Sequence, residues 1–212
     1  MAIALPSTLK VMRTRLTIQW LHTPDIRTRG GEVQTVSFGQ AFWRAEWTTP
    51  ASLTTEEMLS LQAWFDGMEG GVVNTFLAHD FANEYGINYP IGFTPFNGIA
   101  GCSAIAARTI TITGLPASHV IKRGDYISLV QSSRYSLHRV TADLTANGSG
   151  IATGVTVTPP IDTDLFSTSA VVNMAKPLGE FVPVPDSWSS EAVYRDAPGI
   201  QVTFGGVSKV GP

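Results

Sequence analysis

The sequence predicts a mainly β protein: a β domain flanked by a single α-helix at about 54–69, with a small β-barrel or sandwich inserted into it. Three observations carry that expectation. Between Arg108 and Thr158, strand-like runs recur at intervals of about ten residues between turn signals, the mark of a small barrel or sandwich. Only one stretch, Thr54 to Met68, has helical spacing with a start and a stop signal, and strand-like residues flank it on both sides. Ile200 to Phe204 then closes the chain with clean alternation after a long irregular segment. A lone strand is not stable, so this one has to return to an earlier sheet. Residues 1–100 and 175–212 are therefore expected to form one domain, with 101–174 inserted into it.

Met12 to Trp20 alternates, with Thr14, Leu16, Ile18 and Trp20 on one side and Arg13, Arg15, Thr17 and Gln19 on the other. That is a half-buried strand. His22 to Glu32 holds Pro24, Asp25, Gly30 and Gly31 among arginines and reads as an exposed, mobile loop. Val33 to Ser37 is a short strand. Phe42 to Thr48 is a firmer one, with Trp43, Ala45 and Trp47 directed to one face, where they are expected to form a core against the helix. In the helix, Thr54 is an N-cap and Glu57 completes a capping box, with Leu53 and Met58 placed as a staple. Met58, Leu61, Phe65 and Met68 share a face, and Gly70-Gly71 supplies the stop. Val72 to Ala78 returns to strand. His79 to Gly101 is rich in aromatics, Asn, Gly and Pro without any sustained period, and reads as an ordered loop.

In the insertion, Thr109 to Thr113 alternates Ile with Thr. Gly124-Asp125 turns into the strand Tyr126–Val130, and Ser132-Ser133 into Tyr135–Thr141. Asn147-Gly148-Ser149-Gly150 turns into Ile151–Thr158, which Pro159-Pro160 stops, and Ala170–Met174 is one more strand. A segment punctuated by Pro177, Pro183, Pro185 and Pro198 leads to the final strand.

Charged residues make up only 15% of the chain, against roughly 25% in typical soluble domains. Subunit-covered surfaces and many extracellular β proteins share that texture. The net charge of −3, with scattered Lys and Arg, argues against a dedicated nucleic-acid binder. Cys102 is the sole cysteine, so neither a disulfide framework nor a CxxC metal site is available within the chain. Met1 to Pro6 is too short for a signal peptide, and no apolar run approaches the ~20 residues of a membrane span.

The histidines His22, His79, His119 and His138 share no ligand spacing. A triad can be assembled on paper from Ser133, His138 and Asp143, but no Gly-x-Ser-x-Gly elbow places it. Glu56-Glu57 suits the first helical turn better than acid–base work. Neither a P-loop nor a GxGxxG follows any strand. The expectation is a chain without catalytic, metal or cofactor-binding residues, and no cofactor. Two stretches instead have the character of a subunit interface. One is the loop with Arg27 and Arg29. The other is the aromatic run with Phe81, Tyr85, Tyr89, Phe93 and Phe96, residue types that dominate interface energies.

Several segments together resemble bacteriophage tail proteins. Gly124-Asp125-Tyr126-Ile127, then Tyr135-Ser136-Leu137 and Arg139-Val140-Thr141, then Asn147-Gly148-Ser149-Gly150 and Val155-Thr156-Val157-Thr158-Pro159-Pro160, follow the order of a module found there. Trp43-Arg44-Ala45-Glu46-Trp47, the Thr-x-x-Glu helix with Trp64-Phe65, and Thr75-Phe76-Leu77 are similar to the strand–helix–strand opening of tail-tip proteins. The resemblance implies a distal tail protein, or a close relative, of a long-tailed siphovirus-type phage, with a tail-tube-like β-sandwich. It implies a virion location at the distal end of the tail, after synthesis in the host bacterial cytoplasm. It also implies a homo-hexameric ring whose neighbours are the tail tube protein and the tail-tip hub or baseplate proteins. DNA would meet the protein only by passing through the ring channel. In the family a second β domain often projects outward to bind sugar or hold fibres. The competing readings are a carbohydrate- or receptor-binding β module recognising a host surface glycan, and a cell-wall hydrolase.

Overall fold

Alternation along Phe42–Thr48 sets an apolar face against a charged one, and that division organises one half of the molecule. The computed structural model describes residues 2–6, 9, 11, 13–21, 26–27, 33–34, 39–86, 97–193 and 199–209. In chain order the first elements are β1 (Ala2–Ala4), β2 (Arg13–Gln19), β3 (Ile26–Arg27), β4 (Val33–Gln34), β5 (Phe42–Thr48), α1 (Thr55–Asp66) and β6 (Thr75–Ala78). Next come β7 (Ile99–Ala106), β8 (Thr109–Thr113), β9 (Val120–Ile121), β10 (Tyr126–Gln131), β11 (Arg134–Val140), β12 (Leu144–Thr145), β13 (Ala152–Thr158) and β14 (Val171–Asn173). The chain ends with β15 (Gly179–Pro183), β16 (Ser189–Val193) and β17 (Gly199–Ser208). The protein is mainly β, with one α-helix and a closed barrel among the described residues.

A 7-stranded sheet runs in the order β1-β6-β15-β17-β5-β2, with β16 also paired to β17. The final strand is its spine. On one side Thr203–Val207 pairs with Arg44–Thr48; on the other, Gly199–Thr203 pairs with β16 and Gly206–Ser208 with β15. The core face carries Trp43, Trp47, Phe76, Phe181 and Phe204, each at most 1% exposed. Trp47 stacks on Phe204 and meets Phe76 and Phe181 edge-on, and Trp64 of α1 closes the cluster against Phe76 and Phe204. Offset and edge-to-face contacts of this kind add to burial energies of about 1.5–3 kcal/mol per large side chain. Trp43 and Trp47 both belong to the cluster that holds Leu61 and Phe65 of α1, and the Trp43 ring also lies against Tyr126 of the barrel.

The helix starts at the anticipated capping box. The Glu57 backbone N–H donates to Thr54 Oγ1 (3.2 Å), and the Thr54 N–H donates to Glu57 Oε2 (2.8 Å). It buries Leu61 and Phe65 and ends at Asp66, short of the expected glycine pair. Gly70 (φ 63°) and Gly71 (φ 89°) instead shape a separate 3₁₀ turn, Glu69–Gly71. A Cβ on Gly71 would stand 2.3 Å from Val182, so glycine is what lets this turn press against β15. Val72 and Val73 are exposed rather than strand residues, and the strand begins at Thr75.

The barrel closes in the order β10-β11-β13-β8-β7-β14, with β9 and β12 forming a separate ladder beside it. Ile110, Ile112, Ile127, Leu129, Val140, Val155 and Val172 fill its interior. Irregularities between Cys102 and Ala104 in β7, and between Ala152 and Val155 in β13, interrupt the register at points where a small barrel has to curve. Gly154 (φ 75°) sits at the second. The Ser132-Ser133 hairpin turn holds both residues at positive φ, the twist that matches antiparallel strands. Asn147 Oδ1 accepts from Ser149 N and Ile151 N, which makes Asn147–Gly150 a side-chain-closed turn.

Candidate functional site

The paper triad does not assemble. His138 is buried, and its Nδ1 lies 2.8 Å from the Pro159 carbonyl and its Nε2 2.8 Å from Ser136 Oγ. A carbonyl only accepts, so Nδ1 carries the proton and the Ser136 hydroxyl donates to Nε2. Ser136 sits two residues away on the same strand, where neither the Ser133 hydroxyl nor the Asp143 carboxylate takes part. Burial drives the His138 pKa down to about 4, which keeps the ring neutral. Asp143 serves the turn instead: it accepts from the Arg123 backbone N–H and from Lys122 Nζ, and these hold its carboxyl below the usual range. Burial raises the Cys102 thiol pKa, with the Ala104 carbonyl contact opposing it weakly, so the thiolate form is scarce. Among the described residues no group of three His, Cys, Asp or Glu is arranged to hold a metal ion.

Charged and aromatic side chains gather instead where the sheet meets the barrel. Trp43 Nε1 donates to the Leu137 carbonyl at 2.6 Å. The Arg139 guanidinium lies over both the Trp43 and Tyr126 rings, at 5.1 and 5.0 Å, and also donates to the Tyr126 hydroxyl. Burial raises the Tyr126 pKa, and Arg139 offsets part of that rise. Beside this, His79 contacts Glu84 at 3.3 Å, and Glu84 contacts Lys176 at 3.2 Å. Burial lowers the His79 pKa against the pull of Glu84. Burial also opposes ionisation of Glu84, yet Lys176 and His79 together hold its carboxyl below the usual range.

The suspected interface residues are distributed as follows. Phe81 is half-buried, its ring 4.1 Å from His79, and its N–H donates to Thr14 Oγ1 of β2. Tyr85 is half-buried and bridges Ala175. The structure thus brings Phe81 and Tyr85 into the strip between sheet and barrel. Arg27 lies in the β3–β4 ladder, paired with Val33. Arg29, Tyr89, Phe93 and Phe96, and most of the 22–32 loop, lie outside the described residues.

The sheet itself shows what the sequence reading passed over. On its face away from the helix, an open groove of about 550 Å³ runs among the described residues. Arg15, Thr17, Gln19, Arg44 and Glu46 line the groove, with Ser187 and Val184 forming a wall. Gly205 keeps the floor low: a Cβ there would meet Ser187 at 3.2 Å and the Ala45 carbonyl at 3.3 Å. Arg15 stands directly across from Glu46 in the β2–β5 register, and Arg44 across from Thr17. Beyond β2 the sheet ends, because among the described residues that strand pairs with β5 alone. The signal was present in the sequence as two strands whose charged faces alternate in step, but only the register brings them together.

No protein-family model matches the chain, and no curated protein matches it. Among the described residues no helix is long and apolar enough to cross a membrane.

Proposed function

We propose that this chain is a non-enzymatic structural protein of a phage virion, a ring-forming adaptor at the distal end of the tail that joins the tail tube to the tip or baseplate proteins. The observation that carries the reading is the sheet with unlike faces and an open edge. One face is packed by α1, the other carries an open polar groove, and among the described residues β2 pairs on one side only, with β5. A contact between unlike faces of neighbouring copies is heterologous, and such contacts close into rings when the rotation allows. An open edge strand favours the same outcome, since a neighbour can pair with it.

The residues behind the tail-protein resemblance support the reading from a second direction, because each has a mechanical role. Gly124 takes φ 102° at its turn, and the Asp125 carboxylate accepts from Lys122 N while its carbonyl accepts from Val140 N. Asp125 is buried and fixes the turn that starts β10. On this reading six copies surround a channel, with the barrels carried by the ring. Light scattering on the purified chain, with negative-stain imaging, tests it. Closed rings that co-sediment with tail tube subunits are expected. A chain that stays monomeric at every concentration, with and without tube protein, removes the proposal.

A further inference from the structure

Among the described residues, exposed apolar side chains on the sheet half of the molecule fall into two groups. Leu59 (55% exposed), Val72 (86%) and Val73 belong to the helix and its exit, and Trp20 and Leu21 follow the end of β2. Among the described residues, the helix and the β2–β5 groove floor differ in charge. From Thr54 to Gly71 the chain holds Glu56, Glu57, Asp66 and Glu69 without a single Lys or Arg. The outward residues of α1, namely Glu56, Leu59, Ser60, Ala63 and Asp66, are exposed, while Leu61 and Phe65 face the sheet. The groove face, by contrast, carries Arg13, Arg15 and Arg44 against Glu46. Among the described residues neither Arg15 nor Arg44 is within ion-pair distance of a carboxylate.

The helix surface has, in addition, a receptor of side-chain size. A cleft of about 180 Å³ lies between α1 and the N-terminal segment, walled by Pro6, Leu9, Leu53 and Leu61 and edged by Glu56 and Glu57. Apolar walls with carboxylates at the mouth suit a long cationic side chain, whose methylenes bury while its head pairs at the rim. We propose that the occupant is an arginine of a second copy of this chain: the Arg15/Arg44 face of one subunit docks on the Glu56–Leu59 helix face of the next. The contact rests on the ring reading above and specifies its geometry as sheet face on helix face.

The test is a charge swap. One variant carries Arg15→Glu and Arg44→Glu, the other Glu56→Lys and Asp66→Lys; all four positions are exposed, and Glu57 is left to cap the helix. Each variant alone places like charges across every contact, and its self-association should weaken by at least about a hundredfold. Mixed in equal amounts they should assemble again, because acidic groove then meets basic helix and basic groove meets acidic helix. Circular dichroism checks that each variant is folded. Independently of any variant, association of the unaltered chain should weaken as salt rises. If both variants associate as the unaltered chain does, or if both dissociate and mixing restores nothing, this contact is wrong while ring formation stands. If the unaltered chain never associates, the ring reading falls and the contact with it.

Discussion

His138 offers a measurement whose size follows from its surroundings. The ring is 1% exposed, neutral, and donates from Nδ1 to the Pro159 carbonyl. On protonation the Ser136 hydroxyl can rotate to accept from Nε2, so both hydrogen bonds survive and what remains is the cost of a charge without water. The folded pKa is about 4 against 6.5 in the unfolded chain. Because the folded value is depressed, the unfolded chain binds the extra proton, and stability is full above the unfolded pKa and falls as pH drops toward the folded one. Linkage gives a loss of about 2 kcal/mol at pH 5 and about 3 kcal/mol at pH 4 relative to pH 8. Urea unfolding at each pH reads it. Other groups titrate over the same range, so the informative quantity is the difference between the unaltered chain and His138→Gln. The variant should be less stable at pH 8 by about 1–3 kcal/mol for its altered hydrogen bonds, and the gap should close as pH falls to 4. A gap that stays constant across the range would show that His138 takes up its proton in the folded chain as readily as in the unfolded one, and would refute the argument.

Gly150→Ala should cost at least about 2 kcal/mol, because Gly150 has φ 72° and the new Cβ would meet the Leu115 carbonyl at 2.0 Å; thermal melting of the variant checks it. Glu180→Ala strips the partner from Thr75 Oγ1 (2.6 Å) and Lys209 Nζ (2.9 Å), and a loss of about 1–3 kcal/mol is expected in urea. Glu57→Ala breaks the capping box and should lower stability by about 1 kcal/mol, with hydrogen exchange rising first in the opening turn of α1. Removing the residues after Gly199 takes β17 from between β5 and its partners β15 and β16. The truncated chain should lose the near-ultraviolet signal of its tryptophan cluster, and an unchanged signal would mean the sheet holds without its spine.

What was legible in the sequence was legible through local rules. The capping box at Thr54 and Glu57, the Ile/Thr alternation of Thr109–Thr113, and the turns at Ser132-Ser133 and Asn147–Gly150 each depend on residues within a few positions of one another. The strands that escaped notice lack a pattern of their own. Ile99–Ala106 mixes Ala, Gly and Ser with Ile and Cys and shows no alternation, and at Gly101 only glycine fits: a Cβ there would lie 2.8 Å from Thr113 Oγ1. Gly179–Pro183 hides behind its proline, and Ala2–Ala4 is a three-residue strand that only the parallel pairing with β6 reveals. The helix stop was misplaced because Gly70-Gly71 was read as a cap, when its positive φ angles serve contact with Val182. The groove escaped for a related reason. Arg15, Arg44 and Glu46 are ordinary polar-face residues until the β2–β5 register sets them side by side.

Where they are described, at Glu84–Tyr85 and Ala175–Lys176, the two chain segments that cross between sheet and barrel are joined. Lys176 N donates to the Glu84 carbonyl (2.7 Å), Tyr85 bridges Ala175, and the Glu84 carboxylate holds the Lys176 ammonium. A body hung from one strand swivels freely, but one hung from two cross-linked strands can turn only by shearing the links between them. With Trp43 pinned to Leu137 as a third fixed point, the barrel is mounted like a bracket with two arms and a bolt. Torque or tension applied to it is delivered to the spine of the sheet instead of being dissipated in a swinging tether.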